Sequence, residues 1–347
     1  MDLQADIVTT LPKVELHCHL DGSVSPEALA GIIREGGETP PGDEAEFRRL
    51  LQAPIPCGSL LEYLRPFPFV LRYLQKPGAL EAAAYDVLSQ AAKENVVYME
   101  LRFAPMLHGE QGLGCGEVVA AVLNGVRRAE KDFGIAAGLI LCLMRGQPDE
   151  SNRLVVDTAR SFFGKGVAAV DLAGDEAGFP PQNYRQLFAY AAADAIPITI
   201  HAGENGPAGY VADAIGMGAA RVGHGIALKD APDLRALCIR RKVALEICPS
   251  SNLQTKAAAS LSDYPFRLLV DEGVPFSVNT DNRTVSGTTL TNEFLLLQAL
   301  GMDYALMEKL TFAALEQSFL PDDAKPPLRQ RIIDGYADAR SRGLLQP

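Results

Sequence analysis

The stretch that decides the fold reads Ala195-Ile-Pro-Ile-Thr-Ile-His-Ala-Gly-Glu-Asn205. A short apolar run of mostly β-branched residues ends in a histidine, and a glycine, a carboxylate and another turn residue follow. A buried parallel strand that delivers its last side chains into a site has this pattern. A single histidine of this kind is commonly a packed core residue, so the other histidines carry the weight. The chain has five. His17 and His19 close Lys13-Val-Glu-Leu-His-Cys-His-Leu20, and His224 sits in Arg221-Val-Gly-His-Gly225. A further apolar run, Pro275-Phe-Ser-Val-Asn-Thr-Asp281, ends on a carboxylate. His108 alone falls outside this set and is expected on a surface loop.

The chain is 347 residues long, enough for two average domains or one large α/β barrel. Its 48% apolar and 22% charged residues are those of an ordinary globular enzyme. The formal net charge of −11 repels phosphate backbones, which argues against a nucleic-acid partner. No apolar run approaches membrane-spanning length, so no membrane partner is expected. The six cysteines form no C-x-x-C pair, and Cys18, Cys142 and Cys248 lie inside apolar runs as small hydrophobes. Met1-Asp-Leu-Gln-Ala-Asp lacks the basic head and apolar core of a signal peptide. A reducing, cytoplasmic setting is the expectation.

Taken in order, strand-like runs alternate with helical ones. Eight strands are expected at Val14–Leu20, Val96–Phe103, Ala136–Met144, Gly166–Leu172, Ile196–His201, Arg221–Leu228, Val243–Cys248 and Pro275–Asn279. That repetition predicts a (β/α)8 TIM barrel. The whole of residues 1–347 is read as one barrel domain. A helical lid insertion at roughly 26–94 follows strand one, and C-terminal helices at 292–342 follow strand eight. An open doubly wound sheet would carry a glycine-rich phosphate turn after its first strand, where this chain has His-Cys-His. In a barrel, functional residues come from the C-terminal ends of several strands. The polar clusters obey that rule at strands one, four, five, six and eight.

Residues two apart on a strand face the same way, so His17 and His19 can offer two imidazoles to one ion. His201 adds a third imidazole and Asp281 a carboxylate. Such a set suits zinc, although iron, cobalt or manganese could occupy it. Zinc lowers the pKa of a bound water to about 7, which makes hydroxide available at neutral pH.

Five motifs occur in order along the chain: Lys13–Ser23 (KVELHCHLDGS), Asp171–Glu176 (DLAGDE), His201–Glu204 (HAGE), Gly223–Gly225 (GHG) and Asn279–Asp281 (NTD). Together they resemble the adenosine deaminase family of the amidohydrolase superfamily. The resemblance implies one zinc ion on His17, His19, His201 and Asp281, and a purine nucleoside as small-molecule substrate. Glu204 would protonate purine N1 and make C6 electrophilic. His224 would orient the hydroxide, and Asp281 would share in deprotonating the water. Beside His19, the substrate would meet Asp21 at a ribose hydroxyl and the backbone N–H of Gly174 at N3. Leu64 and Phe67 would form an apolar gate, with Met144 on the pocket wall. The family commonly has Asp-Asp where this chain has Asp281-Asn282. A carboxyl donates to purine N7 only when protonated, whereas the Asn282 amide always can.

Strand four offers no lysine to bridge two metals, which favours one ion over a binuclear site. The H-x-E with P-C-x-x-C of cytidine-deaminase sites is absent too. Adenine deaminase and 6-aminodeoxyfutalosine deaminase chemistry remain as alternatives, and Asp21-Gly22-Ser23 favours a nucleoside over both. A non-catalytic nucleoside-binding barrel is the remaining reading, and the pairing of Glu204 with His224 argues against it. The oligomeric state stays open.

Overall fold

A computed structural model describes residues 3–54 and 56–345. The outermost residues of the expected 1–347 domain, including Met1 and Asp2 of the N-terminal stretch, lie outside the described residues. Eight parallel strands form in chain order: β1 Lys13–His19, β2 Val96–Phe103, β3 Ala136–Met144, β4 Val167–Ala173, β5 Thr199–Ala202, β6 Arg221–His224, β7 Ala244–Ile247 and β8 Phe276–Val278. Neighbours in sequence are neighbours in space, in two runs, β1 to β4 and β5 to β8. Single parallel bridges join the runs into a barrel, Val170 with Ile198 on one side and Cys18 with Asp281 on the other.

Helices cover the outside between strands, among them Cys115–Phe133, Asp149–Phe162, Pro232–Arg241 and Tyr304–Gln317. Their starts follow local chemistry. Ser25 caps the helix Pro26–Glu35 by accepting from the Ala28 amide, and proline stands at the first helical position there, at Pro77 and at Pro232. The expected helical stretch 26–94 resolves into Pro26–Glu35, Glu44–Leu51, Leu60–Tyr63, Phe67–Tyr73 and Pro77–Lys93. Among the described residues no helix is long and apolar enough to cross a membrane.

Strands β5 to β8 are shorter than the apolar runs suggest. Strand β6 stops at His224 because His224 and Gly225 both adopt left-handed backbone, at φ 62° and 68°, which no strand continues. Among the described residues three α-helices were not expected, Ala5–Thr10, Pro249–Gln254 and Arg283–Ser286. His108 corrects an expectation. It is fully buried rather than on a surface loop, with Nδ1 2.9 Å from the Leu74 carbonyl and its ring edge-on to Phe103. Burial lowers its pKa to about 4, so the ring stays neutral. A polar residue in a loop-like sequence can be drawn inside whenever a backbone carbonyl offers it a partner.

The barrel interior departs from the usual filling of branched apolar side chains. Glu15, His17, Glu100, Arg102, Asp171, Thr199, Arg221, Glu246, Ser277 and Asn279 are all buried. Arg102 donates to Asp171 at 3.0 Å, to Glu246 at 2.8 Å and to the Leu16 carbonyl at 2.5 Å. Arg221 pairs with Glu246 at 2.6 Å and also with Glu100. Buried charges require such pairing. This ionic layer lies directly behind the strand ends that carry the histidines.

Candidate metal centre and substrate cavity

The seam between β8 and β1 builds the cluster. The Asp281 amide donates to the His17 carbonyl at 2.9 Å, and the His19 amide donates to the Asp281 carbonyl at 2.7 Å. Asp281 is thereby interleaved between the two histidines, with left-handed backbone at φ 62°. A non-glycine residue persists there only where its surroundings over-determine it, a cost met at functional sites. Asp281 Oδ1 lies 3.3 Å from Nε2 of both His17 and His19. His19 Nε2 lies 3.3 Å from His201 Nε2.

Behind the cluster, carboxylates choose the tautomers. His17 Nδ1 is 2.8 Å from Glu246 Oε2, and His201 Nδ1 is 2.9 Å from Asp171 Oδ2. Burial would raise the pKa of Asp171, but the charges of His201 and Arg102 hold it well below the usual carboxylate range. Burial likewise raises Glu246, and Arg102 and Arg221 overcome it. Both carboxylates are therefore ionised and accept the Nδ1 protons, which leaves the Nε2 lone pairs facing inward. Burial lowers the His17 pKa to about 4, with the Arg102 charge adding to it. His17 Nε2 is buried with no hydrogen-bond partner. Burial raises Asp281 too, yet the close approach of His17 and the other nearby histidines drives it far below its ordinary value. Burial lowers and the Asp171 charge raises the His201 pKa, with a net rise; a cation at the point where these donors converge would take the place of that proton, and this centre is metal-binding.

Ligand atoms of His17, His201, His224 and Asp281 lie within 4.8 Å of one another, which makes His224 a rival to His19. The tautomer separates them. Asn252 Oδ1 accepts from Tyr264 Oη at 3.1 Å and from the Cys248 amide at 3.3 Å, so its Nδ2 faces His224 Nδ1 at 3.0 Å. A donor at Nδ1 puts the His224 proton on Nε2, which then has no lone pair for a metal. That N–H points towards Glu204, whose Oε2 is 3.6 Å away.

Glu204 sits on the loop after β5, and Glu176 shapes that loop. The buried Glu176 carboxylate accepts from four consecutive amides, those of Gly203, Glu204, Asn205 and Gly206, at 2.5 to 3.1 Å. Burial raises the pKa of Glu204; the His224 charge opposes this, and the Asp281 and Glu176 charges add to it. A carboxyl held towards its protonated form can act as a proton donor.

Above the cluster opens a cavity of about 290 Å3. His19, Asp21, Leu64, Phe67, Met144, Gly174, His201, Glu204, His224, Asp281 and Asn282 all line it. Every expected site residue is thus brought together except His17, which is fully buried behind the others. Burial raises Asp21 to about 6. Gly174 has φ 101°, a backbone that other residues rarely adopt. Leu60, Leu71, Leu107 and Cys142 also line the walls and were not expected. Nor were Arg102, Glu246, Glu176, Ser251 and Asn252 assigned from sequence. For the first two a signal existed, since Glu100-Leu-Arg102 and Glu246 stand at inward-facing positions of apolar strands. Ser251, 2.6 Å from Asp281 Oδ2, lies on the unexpected helix Pro249–Gln254 and had none.

Residues 12–335 match the family described as adenosine deaminase. The chain belongs to the adenosine deaminase family. It is 47% identical to the adenosine deaminase of Enterococcus faecalis over 330 residues, covering 95% of this chain and 98% of that one. Its fold matches a zinc-bound amidohydrolase from Burkholderia ambifaria with TM-score 0.88 at 25% identity, over 99% and 97% of the two chains. An Arabidopsis protein solved in complex with IMP matches with TM-score 0.84 at 26% identity, over 95% and 98%. Adenosine deaminase relatives are hydrolases of a purine C–N bond, and the (β/α)8 barrel and metal centre described above are those of their superfamily.

Proposed function

We propose that this chain hydrolyses adenosine and 2′-deoxyadenosine to inosine and 2′-deoxyinosine with release of ammonia, serving purine salvage in the cytoplasm. The supporting observation is the facing arrangement of a buried Glu204, raised in pKa, and the lone-pair cluster of His17, His19, His201 and Asp281 in one largely apolar cavity. Those four residues would hold one zinc ion, which when bound supplies an activated water at neutral pH. Residues 1–347 act as one domain, with the 26–94 insertion covering the cavity.

The chain's own groups then have distinct tasks. Glu204 gives its proton to purine N1 and so makes C6 electrophilic. His224, protonated at Nε2 by the Asn252 contact, donates to the attacking oxygen and orients it. Asp281, ionised, accepts a proton from the attacking water. An oxygen–carbon bond forms at C6, Asp281 passes its proton to the exocyclic nitrogen, the carbon–nitrogen bond breaks to release ammonia, and the proton left on the C6 hydroxyl returns to Glu204 as the carbonyl forms. Asp21 reads a ribose hydroxyl, the Gly174 N–H meets N3, and the Asn282 amide meets N7. Leu64 and Phe67 gate the ring, and Met144 walls it.

The test is ammonia release by the purified protein on adenosine, 2′-deoxyadenosine, adenine and AMP. Fast turnover of both nucleosides, with adenine and AMP slow, is the expected result. A preference for adenine would keep the chemistry and remove the role given to Asp21. Silence on all four from protein with bound zinc would refute the reading.

A further inference from the structure

Asn282 is reached by a side chain from the opposite end of the sequence. Its Nδ2 donates to the Tyr63 hydroxyl at 3.0 Å across 219 positions. The Tyr63 hydroxyl is 2.7 Å from Ser286 Oγ, so it accepts from the amide and donates onward. Tyr63 closes the short helix Leu60–Tyr63 of the insertion and is buried, yet it still borders the cavity. Asn282 Oδ1 has no partner and lies against Gly22, where an added Cβ would come within 1.8 Å of it. The amide is therefore held between a phenol oxygen on one side and bare backbone on the other. One N–H of Nδ2 is used by Tyr63, and its second hydrogen remains, on a residue that lines the cavity.

We propose that Tyr63 is a specificity-determining residue, whose hydroxyl locks the Asn282 amide so that its remaining N–H donates to the acceptor nitrogen of the purine five-membered ring. This rests on the nucleoside reading above. The chemistry explains why the two residues occur together. A carboxylate at position 282 would accept from the Tyr63 hydroxyl but have no hydrogen for the ring. An amide free to rotate would present its oxygen to the ring nitrogen half the time, acceptor against acceptor. With its own hydrogen engaged at Ser286 Oγ, the Tyr63 hydroxyl can only accept from Asn282, which removes that rotation. It also joins the insertion directly to base recognition, because the small core of Ala53, Cys57, Tyr63 and Val285 packs the insertion against the segment after β8.

Tyr63 acts through Asn282, so the readout must report the ring nitrogen itself. Inosine and 7-deazainosine differ at that atom, and neither carries a 6-amino group to be released. Their competitive inhibition constants are measured against adenosine turnover in the wild type, Tyr63→Phe, Asn282→Ala and the double variant. The wild type is expected to favour inosine about tenfold, the discrimination of one hydrogen bond left without its acceptor. In Tyr63→Phe the preference falls to about twofold, with 7-deazainosine binding nearly unchanged, and Tyr63→Phe adds nothing once Asn282 is alanine. Equal weakening of both ligands in Tyr63→Phe would show a merely structural role and overturn the proposal, as would an unchanged preference. A wild type blind to the 7-position overturns it as well. Should Tyr63→Phe misfold, Ser286→Ala, which frees the phenol, is expected to lower the preference in the same direction, and an unaltered preference there counts against it. Absence of adenosine turnover by the wild type is a separate outcome that refutes the nucleoside reading instead.

Discussion

The floor of the cavity is held by buried charge, whereas its roof is held by apolar packing. On the floor, two of the three imidazoles that face the metal position have a fixed partner behind them, Glu246 for His17 and Asp171 for His201. Arg102 ties these two carboxylates together, and Arg221 ties Glu246 onward to Glu100. The roof comes from the insertion, where Leu64 and Phe67 pack on a small separate core and few polar contacts fix them. Charge networks set direction to a fraction of an ångström, and apolar contacts set mainly volume. A metal and a proton donor need the first, and a planar purine ring the second.

The largest effect should come from Glu204→Gln. The amide keeps the shape and the hydrogen-bonded loop but cannot release a proton to the ring, so kcat should fall about 10³-fold while bound metal stays the same. Turnover within tenfold of wild type would remove the acid role. Next in size, Asp171→Asn should lower metal affinity roughly 10- to 100-fold, the usual cost of losing an orienting partner, as measured by competition with a chelator. By the same measurement, Leu64→Ala should leave the metal untouched, and it should raise KM several-fold, because only roof volume is lost. If Leu64→Ala released metal, floor and roof would not be separable.

A last effect, on stability and not on activity, concerns the join between the two regions. His108 follows β2, and its Nδ1–H donates to the carbonyl of Leu74, just after the insertion helix Phe67–Tyr73. The folded pKa of about 4 lies below the unfolded value near 6.5. The unfolded chain therefore binds more protons between those values. The stabilisation is complete above about pH 6.5 and is lost as pH falls towards 4, by on the order of 3 kcal/mol at most. Urea melts of wild type and His108→Gln at pH 7.5 and pH 5 should show the smaller pH dependence in the variant. Equal slopes would place the acid sensitivity elsewhere.

How much of this was legible in the residues differs between floor and roof. The strand-end histidines and Asp281 announced themselves because each ends an apolar run, and a polar residue there has few structural reasons to exist; Glu204, in the turn after such a run, took its role from the family resemblance. Leu64, Phe67 and Met144 could be placed in the cavity only through the family resemblance, since leucine and phenylalanine look the same in a core and in a gate. His108 was misread because its partner, the Leu74 carbonyl, carries no sequence signal. Glu176 stood in a recognised motif, yet its grip on four amides of a loop 27 to 30 residues away was invisible.

By itself the sequence determined what depends on local period and on residue type. Eight apolar runs with helical spacers specify a parallel barrel, the two-residue spacing of His17 and His19 puts both on one face, and Asn282 in place of a carboxyl specifies a permanent donor. Tertiary structure alone decided what depends on two distant segments meeting. The His224 tautomer rests on Asn252, the orientation of His201 on Asp171, and the Asn282 amide on Tyr63. Covalent neighbours are written in the chain, but a hydrogen bond needs an acceptor within about 3 Å, and only barrel closure brings β1, β5 and β8 that close together.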